Sequence, residues 1–245
     1  MKIRVLTLFN EIFELYLSQK IMQRANEQNV EIEIENIRDY SDNKHKQVDD
    51  IPFGGGAGMV LKPEPFWKYF VNLRKAKIKK PFTVFVTPQG KKLTQEKLIE
   101  LSKIEDLCII SGRYEGLDQR VIDKFVDEEI SIGDYVLSSG DLPSLVIIDG
   151  IMRMKEGIIK KESYETDSFY NGLLGFPQYT RPQIIDKMEV PEVLTSGNHK
   201  KINQYREIKS ILKTLKNRPD LIQEKLKDKE FFKKYDEFLK LIEIF

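Results

Sequence analysis

Apolar and polar positions alternate along the first two thirds of the chain in a way that predicts strands and helices in turn. Residues 2–9 form an apolar run with few polar breaks and predict a first strand; residues 11–23 then predict a helix. Glu31-Ile32-Glu33-Ile34-Glu35-Asn36-Ile37 alternates strictly, the period of a half-exposed strand. A long polar loop follows over residues 38–59, and loops of that length inside compact domains are usually functional. A helix is expected over 65–75. Strands over 82–86, 107–110 and 129–130 then alternate with helices over 94–102 and 118–125, and a mostly apolar helix covers 142–154. Such alternation argues for an α/β fold with a mainly parallel sheet covered by helices. The pattern breaks over 156–186, where Pro177 and Pro182 interrupt a polar stretch. Beyond it Ile202, Tyr205, Ile208, Leu212 and Leu215 recur at helical spacing, as do Phe231, Phe232, Tyr235, Phe238, Leu239 and Ile242. The expected organisation is an α/β domain over 1–158, a flexible linker over 159–175 and a small helical domain over 176–245.

Three glycine-bearing polar loops follow three of the apolar strands: Thr87-Pro88-Gln89-Gly90, Ser111-Gly112-Arg113-Tyr114-Glu115-Gly116, and Ser131-Ile132-Gly133-Asp134-Tyr135. Ligands of α/β sheets bind outside the carboxyl ends of the strands. Each loop alone reads as a turn, and Asp118 alone reads as a helix N-cap. Three on successive strand ends converge in space and predict a small-molecule pocket built largely from main chain. Phe53-Gly54-Gly55-Gly56-Ala57-Gly58-Met59 has neither the Gly-Lys-Ser/Thr of a P-loop nor a G-x-G-x-x-G register, so it reads equally well as a flexible turn.

Composition narrows the function classes. The chain has 245 residues, 40% hydrophobic and 32% charged, as expected of a well-cored globular protein. No apolar run approaches the roughly 20 residues a bilayer requires, so no membrane partner is expected. The first apolar run is too brief for a signal-peptide core. Cys108 is the single cysteine, which excludes an internal disulfide and fits a cytoplasmic home. His45 and His199, the two histidines, lie outside any Cys/His cluster, and no G-x-S-x-G elbow is present. Carboxylates and arginines remain as the chemical actors. Net charge is +1, so attraction to a polyanion must be local. Residues 198–218 supply it, with seven Lys/Arg against one Glu. Arg206, Lys209, Lys213 and Lys216 form one stripe at helical spacing, read either as a solvated surface or as a phosphate-contacting one.

The loops at 112–116 and 131–137, together with Tyr179-Thr180-Arg181-Pro182, closely resemble the bacterial tRNA (guanine-N1)-methyltransferases, which modify the guanosine at position 37, next to the anticodon. The resemblance spans nearly the whole chain. It includes Arg38-Asp39, Lys44-His45, Val48-Asp49-Asp50, the 54–59 loop, Pro88-Gln89-Gly90, Asp167-Ser168-Phe169 and Ser196-Gly197-Asn198-His199. It implies a parallel α/β domain ending in a SPOUT-like deep trefoil knot, a rare exception to unknotted topology, plus a small all-α C-terminal domain. It further implies a homodimer whose active sites draw on both subunits, S-adenosylmethionine as methyl donor, Mg2+ as an aid to catalysis and tRNA as substrate. The cofactor residues it implies are Thr87, Pro88, Gln89, Gly90, Gly112, Glu115, Gly116, Ile132, Gly133, Asp134, Tyr135, Val136, Leu137, Gly140 and Pro143. Ser139 departs from the family's usual Gly-Gly and puts that loop contact in question. Asp167 matches the family's proposed base and Arg153 its partner; apart from the resemblance, Asp167 reads as a helix cap. Candidate tRNA contacts are Asp50, Gly55 and Met59 in the long loop, and Ser196, Asn198, His199, Arg206, Lys209 and Lys213 in the basic segment. The competing readings are a related knotted methyltransferase acting on ribose or ribosomal RNA, and a non-catalytic RNA- or nucleotide-binding module.

Overall fold

The computed structural model describes residues 1–158 and 164–241. Residues 159–163, the start of the expected linker, lie outside the described residues. The chain divides into two compact units, Met1–Lys160 and Lys161–Phe245.

The first unit is built on five parallel strands in the order β2-β1-β6-β5-β7: β1 (Lys2–Thr7), β2 (Glu31–Asn36), β5 (Phe82–Lys92), β6 (Asp106–Ser111) and β7 (Glu128–Ser131). Central parallel strands are buried on both faces, which explains their near-continuous apolar runs. The pleat sorts their side chains. Ile3, Val5, Val84, Val86, Leu107 and Ile109 face one core with Ile147, Ile148 and Ile151 of α6 (Asp141–Met154). Leu6, Phe85, Cys108 and Ile110 face the other, against Phe66, Tyr69 and Phe70 of α3 (Pro63–Lys75) and Val121 of α5 (Gln119–Phe125). Helix α4 (Gln95–Ser102) completes the layers.

Two expectations are refined here. The helix expected over 11–23 is two, α1 (Asn10–Leu17) and α2 (Lys20–Glu27). They part at Ser18, whose hydroxyl donates to the Leu15 carbonyl at 2.7 Å and competes with the helical ladder. The 38–59 loop is not wholly irregular. A 3-10 turn occupies Ile37–Tyr40, and β3 (Asp49–Asp50) pairs antiparallel with β4 (Val60–Leu61), closing the glycine-rich segment at its base.

In the second unit a short helix α7 (Glu192–Thr195) lies against α8 (His199–Asn217), and α8, α9 (Pro219–Lys225) and α10 (Lys229–Leu241) pack in a core of Leu173, Ile211, Ile222, Phe231 and Tyr235. Leu173, expected in the linker, is buried in this core. The unit is not purely helical: β8 (Ile184–Ile185) pairs antiparallel with β9 (Met188–Glu189). Asp186 and Lys187 between them both take positive φ, 47° and 62°, the backbone that a tight two-residue hairpin requires. The buried face of α8 is also rotated from the expected apolar stripe. Ile202, Ser210, Ile211 and Thr214 are buried, while Tyr205, Ile208, Leu212 and Leu215 are half-buried. Ser210 and Thr214 tolerate burial because their hydroxyls bond the Leu174 carbonyl (2.5 Å) and the Leu174 N–H (2.9 Å).

Candidate active site

The carboxyl ends of β5, β6 and β7 and the start of α6 enclose a cavity of about 340 Å³. Thirteen of the fifteen residues expected around a cofactor line it: Thr87, Pro88, Gln89, Gly112, Glu115, Gly116, Ile132, Gly133, Tyr135, Val136, Leu137, Gly140 and Pro143. Gly90 and Asp134 do not. A Cβ at Gly90 would stand 2.4 Å from the Glu129 carbonyl carbon and the Ile130 nitrogen, so its glycine serves strand approach. Asp134 points to solvent and pairs with Lys92 at 3.1 Å. Arg113, Tyr114, Ser138 and Ser139, which are outside the set of expected cofactor residues, also line the cavity.

Local physics shapes each wall. β5 pairs with β7 up to Val86 and again from Lys91, with Ile130 opposite both, so residues 87–90 bulge out of the ladder. The loops after β6 and β7 cross at two glycines: the Gly140 N–H donates to the Gly112 carbonyl at 2.6 Å. A Cβ on Gly140 would lie 2.5 Å from the Gly112 nitrogen. The neighbouring Ser139 forms an antiparallel bridge with Arg113, and its hydroxyl accepts from the Asp141 N–H at 3.4 Å. Ser131 folds the third loop, its hydroxyl accepting from the Gly133 N–H (3.2 Å) and donating to the Gly133 carbonyl (3.0 Å). The Arg113 guanidinium sits 4.4 Å above the Phe9 ring. Asp141, buried at the start of α6, accepts from the Thr7 hydroxyl at 2.6 Å, a favourable place for a carboxylate at a helix N-terminus. The glycine-rich loop is tied to the same wall. Glu115 N–H donates to the Met59 carbonyl (2.9 Å), and Leu61 N–H to the Gly116 carbonyl (2.9 Å).

Arg153 is half-buried in the last turn of α6. Asp167 belongs to the second unit, in a turn where its N–H donates to the Tyr164 carbonyl at 3.1 Å. No helix starts at Asp167, so it does not cap one. It lines a cavity of about 640 Å³ with Asn171, Phe176, Arg206 and Tyr235. Among the candidate tRNA contacts, Asp50 is exposed and accepts from the Ile51 N–H (2.8 Å). Gly55 stands at φ +78° in open space. Ser196 and Asn198 have structural work: the Ser196 hydroxyl accepts from Asn198 N–H (3.2 Å), and the Asn198 side chain caps α8 by accepting from Lys201 N–H (3.1 Å). His199 and Lys213 are exposed on α8. Arg206 sits 5.0 Å over the Phe176 ring, and Lys209 5.4 Å over Tyr205. Among the described residues no three His, Cys, Asp or Glu side chains converge as a metal cage, so these residues offer no protein-only seat for Mg2+. No helix among them is long and apolar enough to cross a membrane.

A family profile described as tRNA (Guanine-1)-methyltransferase TrmD matches residues 1–224. A tRNA (guanine-N(1)-)-methyltransferase of Caldicellulosiruptor saccharolyticus is 48% identical over 99% of this chain and 100% of its own. Proteins of the same description from Fervidobacterium nodosum (50% identity, 90% of this chain and 89% of the relative) and Clostridioides difficile (47%, 90% and 97%) are similar over comparable spans.

Proposed function

The chain belongs to the tRNA (guanine-N1)-methyltransferase family, and from that premise we propose that the cavity at the sheet edge holds S-adenosylmethionine while N1 of guanosine 37 is methylated. One observation carries this reading above the others: three glycine-bearing loops meet around a single cavity of about 340 Å³, within the size range of small-molecule sites. The close crossing of Gly112 and Gly140 leaves no room for a side chain at Gly140, and in this reading main-chain groups of the loops read the edges of the nucleoside. We take the chain here to thread as the family's trefoil knot.

The donor supplies an electrophilic methyl group on a sulfonium. Guanine N1 carries a proton and attacks poorly until that proton leaves. The Asp167 carboxylate takes the proton as general base. Negative charge that builds on guanine O6 is stabilised by the Arg153 guanidinium. The bond formed joins N1 to the methyl carbon, the bond broken is that carbon's bond to sulfur, and the proton rests on Asp167.

The exposed Asp50–Met59 segment, with Phe53 fully exposed, and the basic face of α8 are the RNA contacts in this reading. A second copy of the chain covers the apolar surface of Leu15, Leu142 and Val146, which are 77%, 57% and 47% exposed. Val146→Glu is then expected to yield monomers in sedimentation. The central test is transfer of labelled methyl from S-adenosylmethionine to unmodified tRNA carrying guanosine or adenosine at position 37. Guanosine-only transfer, lost in Asp167→Ala with cofactor affinity intact, is the expected result. Wild-type turnover by Asp167→Ala removes that residue from the mechanism, and equal methylation of the adenosine tRNA removes the proposed target.

A further inference from the structure

We propose that the second unit carries its own nucleotide pocket, built on Tyr179, Arg181, Gln183 and Arg206, which holds one unpaired nucleotide of the RNA other than the reacting guanosine. The proposal rests on the reading of tRNA as substrate and adds a second point of recognition to it. The cavity has a volume of about 370 Å³. Its lining includes two arginines and no carboxylate. The neighbouring 640 Å³ cavity mixes Glu165, Asp167 and Asp228 with Lys225 and Lys234. Both charged residues of an otherwise neutral lining are cationic, which favours an anionic ligand.

The remaining walls match a nucleotide group by group. The Tyr179 ring, 47% exposed, offers a stacking face to a base. Gln183 offers amide donors and an acceptor to a base edge. Arg181 and Arg206 offer guanidinium forks to a phosphate. The walls are held in place before any ligand arrives. Val190 N–H donates to the Gln183 carbonyl at 3.0 Å, extending the β8–β9 ribbon to the pocket rim. The Arg206 guanidinium is stacked over Phe176.

The experiment uses the full chain and tRNAs made abasic at one unpaired position at a time, with binding measured alongside turnover. Tyr179→Ala should raise the tRNA KM by about tenfold, with kcat and S-adenosylmethionine affinity unchanged. Tyr179→Phe, which keeps the ring, should restore tRNA binding. At one abasic position away from the target, wild type and Tyr179→Ala should bind alike, because the partner base is already gone. Arg181→Ala should lower the salt slope of tRNA binding by about one. Losses from Tyr179→Ala that add to those of every abasic position overturn the proposal. So does competition by free guanosine or adenosine monophosphate near the tRNA's own KM together with such additivity, which would assign the pocket to a free nucleotide. A wild-type chain that binds tRNA without methylating it refutes the activity instead, and affinity alone then decides the pocket.

Discussion

Replacing Gly140 by alanine tests the crossing on which the cofactor cavity depends. Gly140 has φ −78° and ψ 1°, a backbone any residue can adopt, so the cost is purely steric. The added Cβ would stand 2.5 Å from the Gly112 nitrogen and 3.1 Å from the Ser111 carbonyl carbon and Cα. All three are main-chain atoms that no rotamer change can move. Reaching an ordinary contact near 3.5 Å requires the two segments to part by roughly 1 Å. That displacement breaks the 2.6 Å bond from Gly140 N–H to the Gly112 carbonyl. Overpacking and the lost bond together cost about 2–4 kcal/mol. If the loops absorb the movement, S-adenosylmethionine affinity falls roughly 30-fold or more, since each 1.4 kcal/mol or so is tenfold. If the fold absorbs it, the melting temperature drops by roughly 5–15 °C. Titration calorimetry with S-adenosylmethionine and a thermal melt on the same preparation separate the two. Gly55→Ala is the control: its Cβ meets nothing within 4 Å, and only the backbone strain of φ +78° opposes it. Cofactor affinity and melting temperature both at wild-type values in Gly140→Ala would refute the reasoning.

Three further outcomes are expected. Reversing Lys209 and Lys213 to Glu should weaken tRNA binding and lower its salt slope by about two, leaving cofactor affinity unchanged; filter binding across a salt series reads both, and an unchanged slope counts against α8 as an RNA contact. Asp118→Ala should destabilise the first unit by about 1 kcal/mol, because the carboxylate caps α5 by accepting from Arg120 N–H at 3.0 Å. The Arg120 guanidinium holds the Asp118 pKa below the ordinary value, so this contribution is present above about pH 3.9 and is lost as pH falls below it; a variant-minus-wild-type stability difference that stays constant in acid contradicts the pairing. Burial pushes the Cys108 thiol up to about 12, so native protein should resist thiol reagents at pH 8 and react once unfolded. The unfolded thiol ionises near pH 8.5, so this group also makes stability fall as pH rises from there toward 12; rapid native labelling would show that Cys108 is not enclosed as described.

The central strands and the cavity were legible because burial on both faces leaves a plain signature. Leu107 to Ile110 must be apolar throughout, and the glycines that follow mark where backbone, not side chain, meets its neighbour. What escaped the pattern did so for identifiable reasons. Gly90 looked like a fourth ligand contact, yet its missing Cβ makes room for β7; the signal was in Lys91-Lys92, which return to the ladder after the bulge. Asp134 sits among cavity residues in sequence but faces Lys92, because a tight loop alternates direction as a strand does. Arg113 and Tyr114 reach the cavity because the loop turns back on itself at Tyr114, φ 57°, a conformation no composition rule assigns to tyrosine. In the second unit, periodicity counted Ser210 and Thr214 as polar and so turned α8 the wrong way. Hydroxyls that satisfy themselves on the Leu174 main chain are as buried as isoleucine. The placement bears on function: with the Ser210–Thr214 face inward, Arg206, Lys209 and Lys213 fall beside the buried face. Arg206 and Lys209 then lie against Phe176 and Tyr205. A cation held over a ring gives up less rotamer freedom when it meets a phosphate than one swinging in solvent. The RNA-facing part of α8 is therefore not a plain lysine stripe but cations seated on aromatic rings, next to a pocket of the size a nucleotide needs.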